Sequence, residues 1–463
     1  MPKYTTVLLF IMLSLTCTLS SKYLEAKSGA SPTVVLITGP ETSDFLKEIS
    51  RPILKAAGIF PDSVSFHVML DNSLNAMALP SNDIIFNSGL LLRATSRAEV
   101  AGVMAHEIAH LSAGHHTKLE NELANTSLRT VLLGVAGIAA GVVSGSGELT
   151  QASIIGSAAS GKASMLSNQR QKETQADRLA LYYMAEAGFN LHGLTNFMER
   201  ILQEQQGQAM PPPYLLSHPL SSTRVMEIRQ IANEIEKTSK STQPEGEKLA
   251  RVQAKLLAGS TVVPKVAINH FQSNLKKNPA SFPDRYGLAV AYRYAGNLQE
   301  SEEELNRLLK ISPNDPYLFR ERGRTRVDWG RPAQAESDFK TALKQRPENE
   351  DLLYWLAFSL KEQKKYRPAS KILHRLTNKY PKRASYFYLL AMVQGKGSKP
   401  AAGHLSLGRY YMLVGERKTA LWHFSEAISL FKPNSIEKSI ASREKDRLLA
   451  QIRKERKRNL FNR

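Results

Sequence analysis

The sequence predicts a mainly α-helical chain with a small β-sheet, arranged as a mixed domain followed by an α-solenoid. Three observations carry this reading. Residues 31–235 mix strand-like alternation with helical periodicity. A polar run with Pro and Gly, "EKTSKSTQPEGE" at 236–247, then reads as a linker. Beyond it prolines recur at Pro279, Pro313, Pro347 and Pro381, each 34 residues from the last. A chain of 463 residues is too long for one ordinary hydrophobic core, and 42% apolar residues is a globular composition. The expected divisions are a leader at 1–20, a mixed domain at 31–235, the linker at 236–247, a repeat domain at 248–435 and a basic tail at 436–463.

At the N-terminus Lys3 precedes an apolar run over residues 7–19, with small residues at Thr18, Ser20 and Ser21. This is the pattern of a cleaved secretory signal, too short to span a bilayer comfortably. Cys17 is the single cysteine, and Ser14-Leu15-Thr16-Cys17 is a poor match to an acylation site, which argues against a lipoprotein anchor. Cleavage after Ser20 leaves a chain without thiols, which needs no disulfides after export. The formal charge of +20 suits nucleic acid, anionic membrane or acidic partners. No aromatic-basic interleaving of a nucleic-acid module is present, and export argues the same way, so no nucleic-acid partner is expected.

Within the mixed domain, Ser96-Arg97-Ala98-Glu99 is a capping box ahead of "VAGVMA", so a helix is expected to begin at about residue 97. It carries His106-Glu107-x-x-His110. Residues four apart share a helix face, so both imidazoles can reach one ion while Glu107 sits beside them. Two neutral imidazoles with a carboxylate poised on a bound water is the arrangement of zinc hydrolases. One candidate third ligand is His116, but the H-E-x-x-H-x-x-G-x-x-H pattern needs glycine where Ala113 stands; glycine comes one place late, as Gly114. His115 and His116 then read as helix-end residues that favour the macrodipole and could lie near the cleft. The better candidate lies 63 residues beyond His110, in "QRQKETQADRLALYYMAEAGFN". There Glu173 could complete a His2Glu site, and Asp177, one turn on, could orient a ligand histidine through its ring N–H. A lone E-x-x-x-D more often marks a solvated face, here shared with Lys172 and Arg178.

"HPLSSTR", His218 to Arg224, follows the proline-stiffened "MPPPYLLS". Proline after His218 favours an extended backbone that presents the imidazole. His218 could donate to the oxyanion of a tetrahedral intermediate or occupy the fourth position on zinc in a closed enzyme. Arg224 could hold this loop or share the oxyanion. Between the two helical motifs, residues 131–143, "VLLGVAGIAAGVV", are uncharged but short for a membrane span; a helical hairpin or flap beside the cleft is expected, with contact at the bilayer surface as the alternative.

In the repeat domain Gly296, Gly330 and Lys364 mark the mid-repeat turn. Small residues follow at Ser301, Ala335 and Ala369, and large ones at Leu305, Phe339 and Leu373. Small residues let two helices approach, large ones fill the groove and proline ends the second helix, which is the tetratricopeptide pattern. A further copy around Gly408, Tyr411, Gly415, Ala420, Phe424, Ala427 and Pro433 arrives late, displaced by an insertion of about half a repeat containing "GKGSKP". Such repeats stack into a curved solenoid that grips peptides or partner proteins. Residues 438–463 hold ten Lys/Arg against three Asp/Glu, 10 − 3 = +7, and read as a solvated helical tail or as a contact for lipid headgroups.

"AHEIAHLSAGH", "KETQADRLALYYMAEAGF" and "HPLSSTR", in this order, resemble the HtpX-type and CAAX-prenyl-protease-type zinc peptidases. With a leader and a tetratricopeptide array the chain is similar to the BepA/YfgC-like periplasmic proteins of Gram-negative bacteria, from about residue 30 nearly to the end. The resemblance implies a zincin-type (gluzincin) metallopeptidase fold. It implies one Zn2+ per chain held by His106, His110 and Glu173, Glu107 as catalytic base, and Asp177 behind a ligand histidine. "NAMALP", residues 75–80, resembles the family's strand beside the cleft; Ser81 and Asn82 stand where glycines often follow. It further implies a periplasmic protease or chaperone acting on unfolded or misassembled outer-membrane proteins. The repeats would dock the β-barrel assembly machinery, and a peripheral membrane contact is a further expectation. The alternative is an adaptor or chaperone whose peptidase site is normally capped by His218.

Overall fold

The computed structural model describes residues 36–37, 39–115, 159–205, 213–238, 241–243 and 246–461. The leader with Cys17, His116, the apolar run at 131–143 and the first prolines of "MPPPYLLS" lie outside the described residues. The chain divides into two compact units, at Val262 and Val263.

The first unit opens with β1 (Leu36–Ile37) and α1 (Pro40–Ala56), followed by β2 (Ser65–Met69), β3 (Ala76–Ala78) and β4 (Asp83–Asn87). These strands form one four-stranded sheet in the order β1-β2-β4-β3. β2 pairs with β4 in parallel, and β3 pairs with β4 antiparallel, Ala78 opposite Ile84. Alternation in β4 sends Ile84 and Phe86 into the core. Among the described residues β3 is an edge strand, with a ladder partner on one side only.

Six helices complete the described part of this unit before its last: α2 (Ser88–Arg93), α3 (Arg97–Ser112), α4 (Ala159–Glu186), α5 (His192–Gln205), α6 (Pro213–Ser217) and α7 (Ser222–Glu236). α3 begins where the capping box places it. It is buried all round from Arg97 to His110, as befits a helix at the centre of the unit, between α4 and α5. α4 ends at Gly188, whose φ of +73° lets Phe189 N–H turn back to the Met184 carbonyl.

α8 (Lys248–Ser260) follows the polar linker yet belongs to the first unit. Leu249, Val252 and Leu256 enter the same core as α1 and α3, and Gln253 donates to the carbonyls of Leu91 and Ala94. The division between units therefore falls one helix later than the sequence boundary at 248. A linker signal reports solvent exposure of twelve residues, and it does not report on which core the next apolar stripe covers.

The second unit is a run of antiparallel helices: α9 (Pro264–Lys277), α10 (Phe282–Ala295), α11 (Leu298–Ile311), α12 (Pro316–Asp328), α13 (Pro332–Gln345), α14 (Glu350–Glu362), α15 (Tyr366–Lys379), α16 (Ala384–Lys396), α17 (Pro400–Leu413), α18 (Arg417–Leu430) and α19 (Ile436–Phe461). Its turn residues Gly296, Gly330, Lys364 and Ser398 all take positive φ, between +59° and +83°. The half-repeat insertion is one helix, α16. After it α17 takes the part of a first helix, and Gly408 faces the ring of Phe424 on α18 as Gly323 of α12 faces Phe339 on α13. The basic tail is α19, which buries Ala441 and Leu448 with Leu405 and Phe424. Among the described residues no helix is long and apolar enough to cross a membrane.

Candidate metal centre

The cap sets the phase of α3. The Ser96 hydroxyl accepts from Glu99 N–H at 3.1 Å, and the Glu99 carboxylate accepts from Thr95 N–H at 2.9 Å. His106 and His110 then fall one turn apart on one face, with Nε2 atoms 3.0 Å apart. Glu107 points toward β3: its Oε2 accepts from Ala78 N–H at 2.8 Å. Its Oε1 is buried with no hydrogen-bond donor among the described residues and stands 3.4 Å from His218 Nε2.

α4 supplies the carboxylates. Glu173 Oε2 lies 3.4 Å from His106 Nε2, and its Oε1 lies 3.5 Å from His110 Nε2. Asp177, one turn further, places Oδ1 3.0 Å from His106 Nδ1. The loop residue arrives on the last turn of α6, where His218 N–H donates to the Tyr214 carbonyl at 2.8 Å. His218 is thus presented by a short helix, and its Nδ1 sits 3.3 Å from His106 Nε2 and 3.1 Å from Glu173 Oε2.

His106, His110, Glu173 and His218 form a buried group with one ligand atom each, all within 4.8 Å of one another. Five of the separations fall between 3.0 and 3.5 Å. Ligand bonds of about 2.0 Å in a tetrahedral set require donor atoms roughly 3.3 Å apart, so this nitrogen and oxygen set fits a small divalent cation. Arg224 is committed elsewhere: it grips Asp177 at 2.6 and 2.8 Å, reaches Glu173 Oε2 at 3.1 Å and donates to the Pro219 carbonyl at 2.6 Å.

Electrostatics follow from burial and neighbours. Burial opposes charge on His106, but Asp177 and Glu173 outweigh it and push the ring up to about 10. Burial, reinforced by His106, holds His110 far below the usual imidazole range. Burial raises the Glu107 carboxyl, against the pull of His218, His106 and the Ala78 N–H. Burial works against charge on Glu173 and Asp177 as well, but bonds from His106 with His218 or Arg224 hold both carboxyls low.

All seven residues singled out in the sequence come together here. Further residues contribute; of these, Ala78 lies in the "NAMALP" strand and Gly114 and His115 follow the histidine helix noted in the sequence. The Ala78 N–H is backbone and has no side-chain signature. Gly114, with φ +65°, turns the chain at the end of α3 so that His115 folds back, its Nδ1 2.9 Å from His110 Nδ1 and its Nε2 3.3 Å from Gln175 Oε1. His115 thus stands at the helix end and against the site, where it meets His110 rather than solvent; the late glycine was the available signal. Tyr214 stacks on His218, ring centroids 4.7 Å apart, with its hydroxyl buried and without a hydrogen-bond partner among the described residues.

Residues 40–232 match peptidase family M48, a span that contains all seven residues, and residues 288–353 and 328–393 match tetratricopeptide repeats. The chain is similar to a Vibrio cholerae protein named as a beta-barrel assembly-enhancing protease, 26% identical over 426 residues, 90% of this chain and 86% of that one. The Beta-barrel assembly-enhancing protease of Escherichia coli K12 is 23% identical over 428 residues, 90% of this chain and 84% of that one. Metalloprotease LoiP of Escherichia coli K12 is 28% identical over 193 residues, 41% of this chain and 71% of that protein. Among solved structures, YrrB, a TPR protein with an unusual peptide-binding site, is similar at 16% identity and a TM-score of 0.32, covering 38% of this chain and 89% of that one.

Proposed function

We propose that this chain, with a match to peptidase family M48 followed by matches to tetratricopeptide repeats, is a zinc-dependent endopeptidase. His106, His110 and Glu173 hold one Zn2+ per chain. The observation that carries this is the set of donor separations between 3.0 and 3.5 Å, which suits tetrahedral coordination by two imidazoles and a carboxylate. Zinc bound there supplies Lewis acidity and lowers the pKa of a water toward neutrality.

The protein supplies the rest. Ala78 N–H fixes one oxygen of Glu107, leaving Oε1 to accept a proton from the attacking water and return it to the leaving amine. Burial raises the Glu107 carboxyl, which makes it a stronger base than a solvated one. Asp177 orients the His106 ring, and Arg224 holds Asp177 and the Pro219 carbonyl, so it positions the loop. The open edge of β3, beside Glu107, suits an extended substrate running past the site, which favours internal cleavage.

The position of His218 favours a second state of the same site. Its Nδ1 completes the donor set while its Nε2 faces Glu107 Oε1, so it caps the centre and blocks the base. A chain resting in this state works mainly as a tetratricopeptide adaptor or chaperone. We place it in the periplasm, acting on unfolded or misassembled outer-membrane proteins, with the repeats docking the β-barrel assembly machinery. The leader-like N-terminus and the names of the two relatives matched over 90% of this chain support that setting.

The test is a pair of substitutions. Glu107→Gln should retain one zinc per chain and lose cleavage of an unfolded protein, whereas His106→Ala should lose both, by metal analysis and proteolysis assay. Full cleavage by Glu107→Gln would overturn the assigned base. If Glu107→Gln still restores outer-membrane integrity to cells lacking the protein, the adaptor reading gains.

A further inference from the structure

Gly408 stands where α17 lies against α18. A Cβ there would come within 2.4 Å of the Phe424 ring, so the two helices approach more closely than any larger residue at this position allows. On α17 His404, Gly408 and Tyr411 follow one another at spacings of four and three, and so share one face. On α18 His423 directly precedes Phe424. The approach at Gly408 brings the two imidazoles together across the helix pair, with His404 Nδ1 3.0 Å from His423 Nδ1.

The surroundings hold both rings. Tyr411 lies almost parallel to His423, with 8° between the planes and 5.1 Å between centroids, and Trp422 stands edge-on to both, 4.6 Å from His423 and 5.6 Å from His404. His423 is buried and His404 half-buried. Among the described residues no carboxylate lies within ion-pair distance of either imidazole, and neither Nε2 has a hydrogen-bond partner. Burial, then the neighbouring His404, bring His423 down to about 4, so it is neutral at pH 7. The repeat pattern does not call for this pair. With Gly408 set on Gly323 and Phe424 on Phe339, the histidines fall on Phe319 and Asp338, and 34 residues beyond those stand Leu353 and Ile372.

We propose that His404 and His423 form a binding site for a late first-row divalent transition ion, Cu2+ most tightly, which ties α17 to α18. Two Nδ1 atoms 3.0 Å apart, each about 2.0 Å from one ion, subtend roughly 97° at it, between the square-planar and tetrahedral angles. Two neutral imidazoles that face each other share one proton. An ion takes both lone pairs once that proton moves through solvent to Nε2 of the same ring. Imidazole nitrogen suits Cu2+, Ni2+ and Zn2+, with Cu2+ first in order of affinity, whereas Mg2+ and Ca2+ take oxygen ligands. Water completes the coordination from the side of half-buried His404. The site lies wholly within the repeats and stands independently of the peptidase reading. With two protein donors against three, it stays open in a chain that holds a single Zn2+.

The test uses the full chain without an affinity tag, given one Zn2+ and then titrated with Cu2+ against glycine as competitor. One Cu2+ per chain should bind with nitrogen hyperfine structure in its electron paramagnetic resonance spectrum, and the zinc should stay in place. His404→Gln and His423→Gln should each weaken this binding by about 100-fold, because a second donor held in place acts at a high effective concentration. His374→Gln, which removes an exposed histidine of α15, should leave it unchanged. Ni2+ should compete, and Mg2+ in large excess should not. Circular dichroism checks that each variant folds; should the buried His423→Gln chain fail to, His404→Gln decides alone. Copper uptake equal in the parent and His404→Gln would overturn the site, as would uptake that only tracks zinc release or is lost equally in His374→Gln. Displacement of Cu2+ by Mg2+ would overturn the imidazole assignment.

Discussion

His115 stands between His110 and Gln175, and the polarity of that row follows from the amide. Gln175 Oε1 can only accept, so His115 Nε2 donates to it across 3.3 Å, leaving His115 Nδ1 a lone pair. That lone pair accepts from His110 Nδ1–H at 2.9 Å, which leaves His110 Nε2 bare and turned toward His106 and Glu173. Partners of this kind orient a ligand imidazole and raise its basicity. His115→Ala should therefore weaken zinc binding by roughly 10- to 100-fold, measured by competition with a chelator, while the chain stays folded. Unchanged affinity would remove His115 from the site. The sequence made some of these residues legible and hid others for physical reasons. A spacing of four on a capped helix declares that His106 and His110 share a face. No periodicity connects them to Glu173, 63 residues past His110; only the order of three motifs did that. Ala78 contributes an N–H that every residue but proline possesses.

A close approach holds α3 in place, and it sets the cost of moving the histidines. A Cβ on Gly102 would lie 2.6 Å from the Cα of Leu194 and 2.7 Å from its backbone nitrogen. The obstacle is the backbone of α5, which has no rotamer to yield, so Gly102→Ala must push the two helices apart. This should cost about 1–3 kcal/mol in denaturant unfolding and lower zinc affinity, because His106 and His110 travel with α3. Gly395 supplies the contrast. It lies inside α16 with no atom within 4 Å of a Cβ, so Gly395→Ala should stabilise the repeat unit by roughly 0.5–1 kcal/mol. Opposite signs for one substitution type would come from surroundings alone; equal signs would refute the packing account. The start of α3 and the repeating turns could be read in advance because caps and 34-residue spacing are local or arithmetical signals. The membership of α8 could not, since an amphipathic helix states that it covers a core without stating which one.

Each of the two units has its own core: one gathers Leu46, Val103, Met184 and Phe197, and another links Phe339, Leu356 and Leu373 along the repeats. The donor set lies wholly in the first unit, because His106, His110, Glu173 and His218 all precede Val262. Repeats gain stability from neighbour to neighbour and have no share in such a centre. A cation that binds the folded form and not the unfolded one adds RT ln(1 + [L]/Kd), about 4 kcal/mol at a thousandfold excess over Kd. For a unit of this size that is a shift on the order of 10 °C in melting temperature. Calorimetry of the zinc-loaded chain, before and after chelation, should therefore show one transition falling by this amount and the repeat transition unmoved. In His106→Ala the first transition should already be low and should ignore the chelator, since the donor set is broken before any metal is withdrawn. A repeat transition that fell together with the first on chelation would mean that the units unfold as one, and the independence argued from their separate cores would fail.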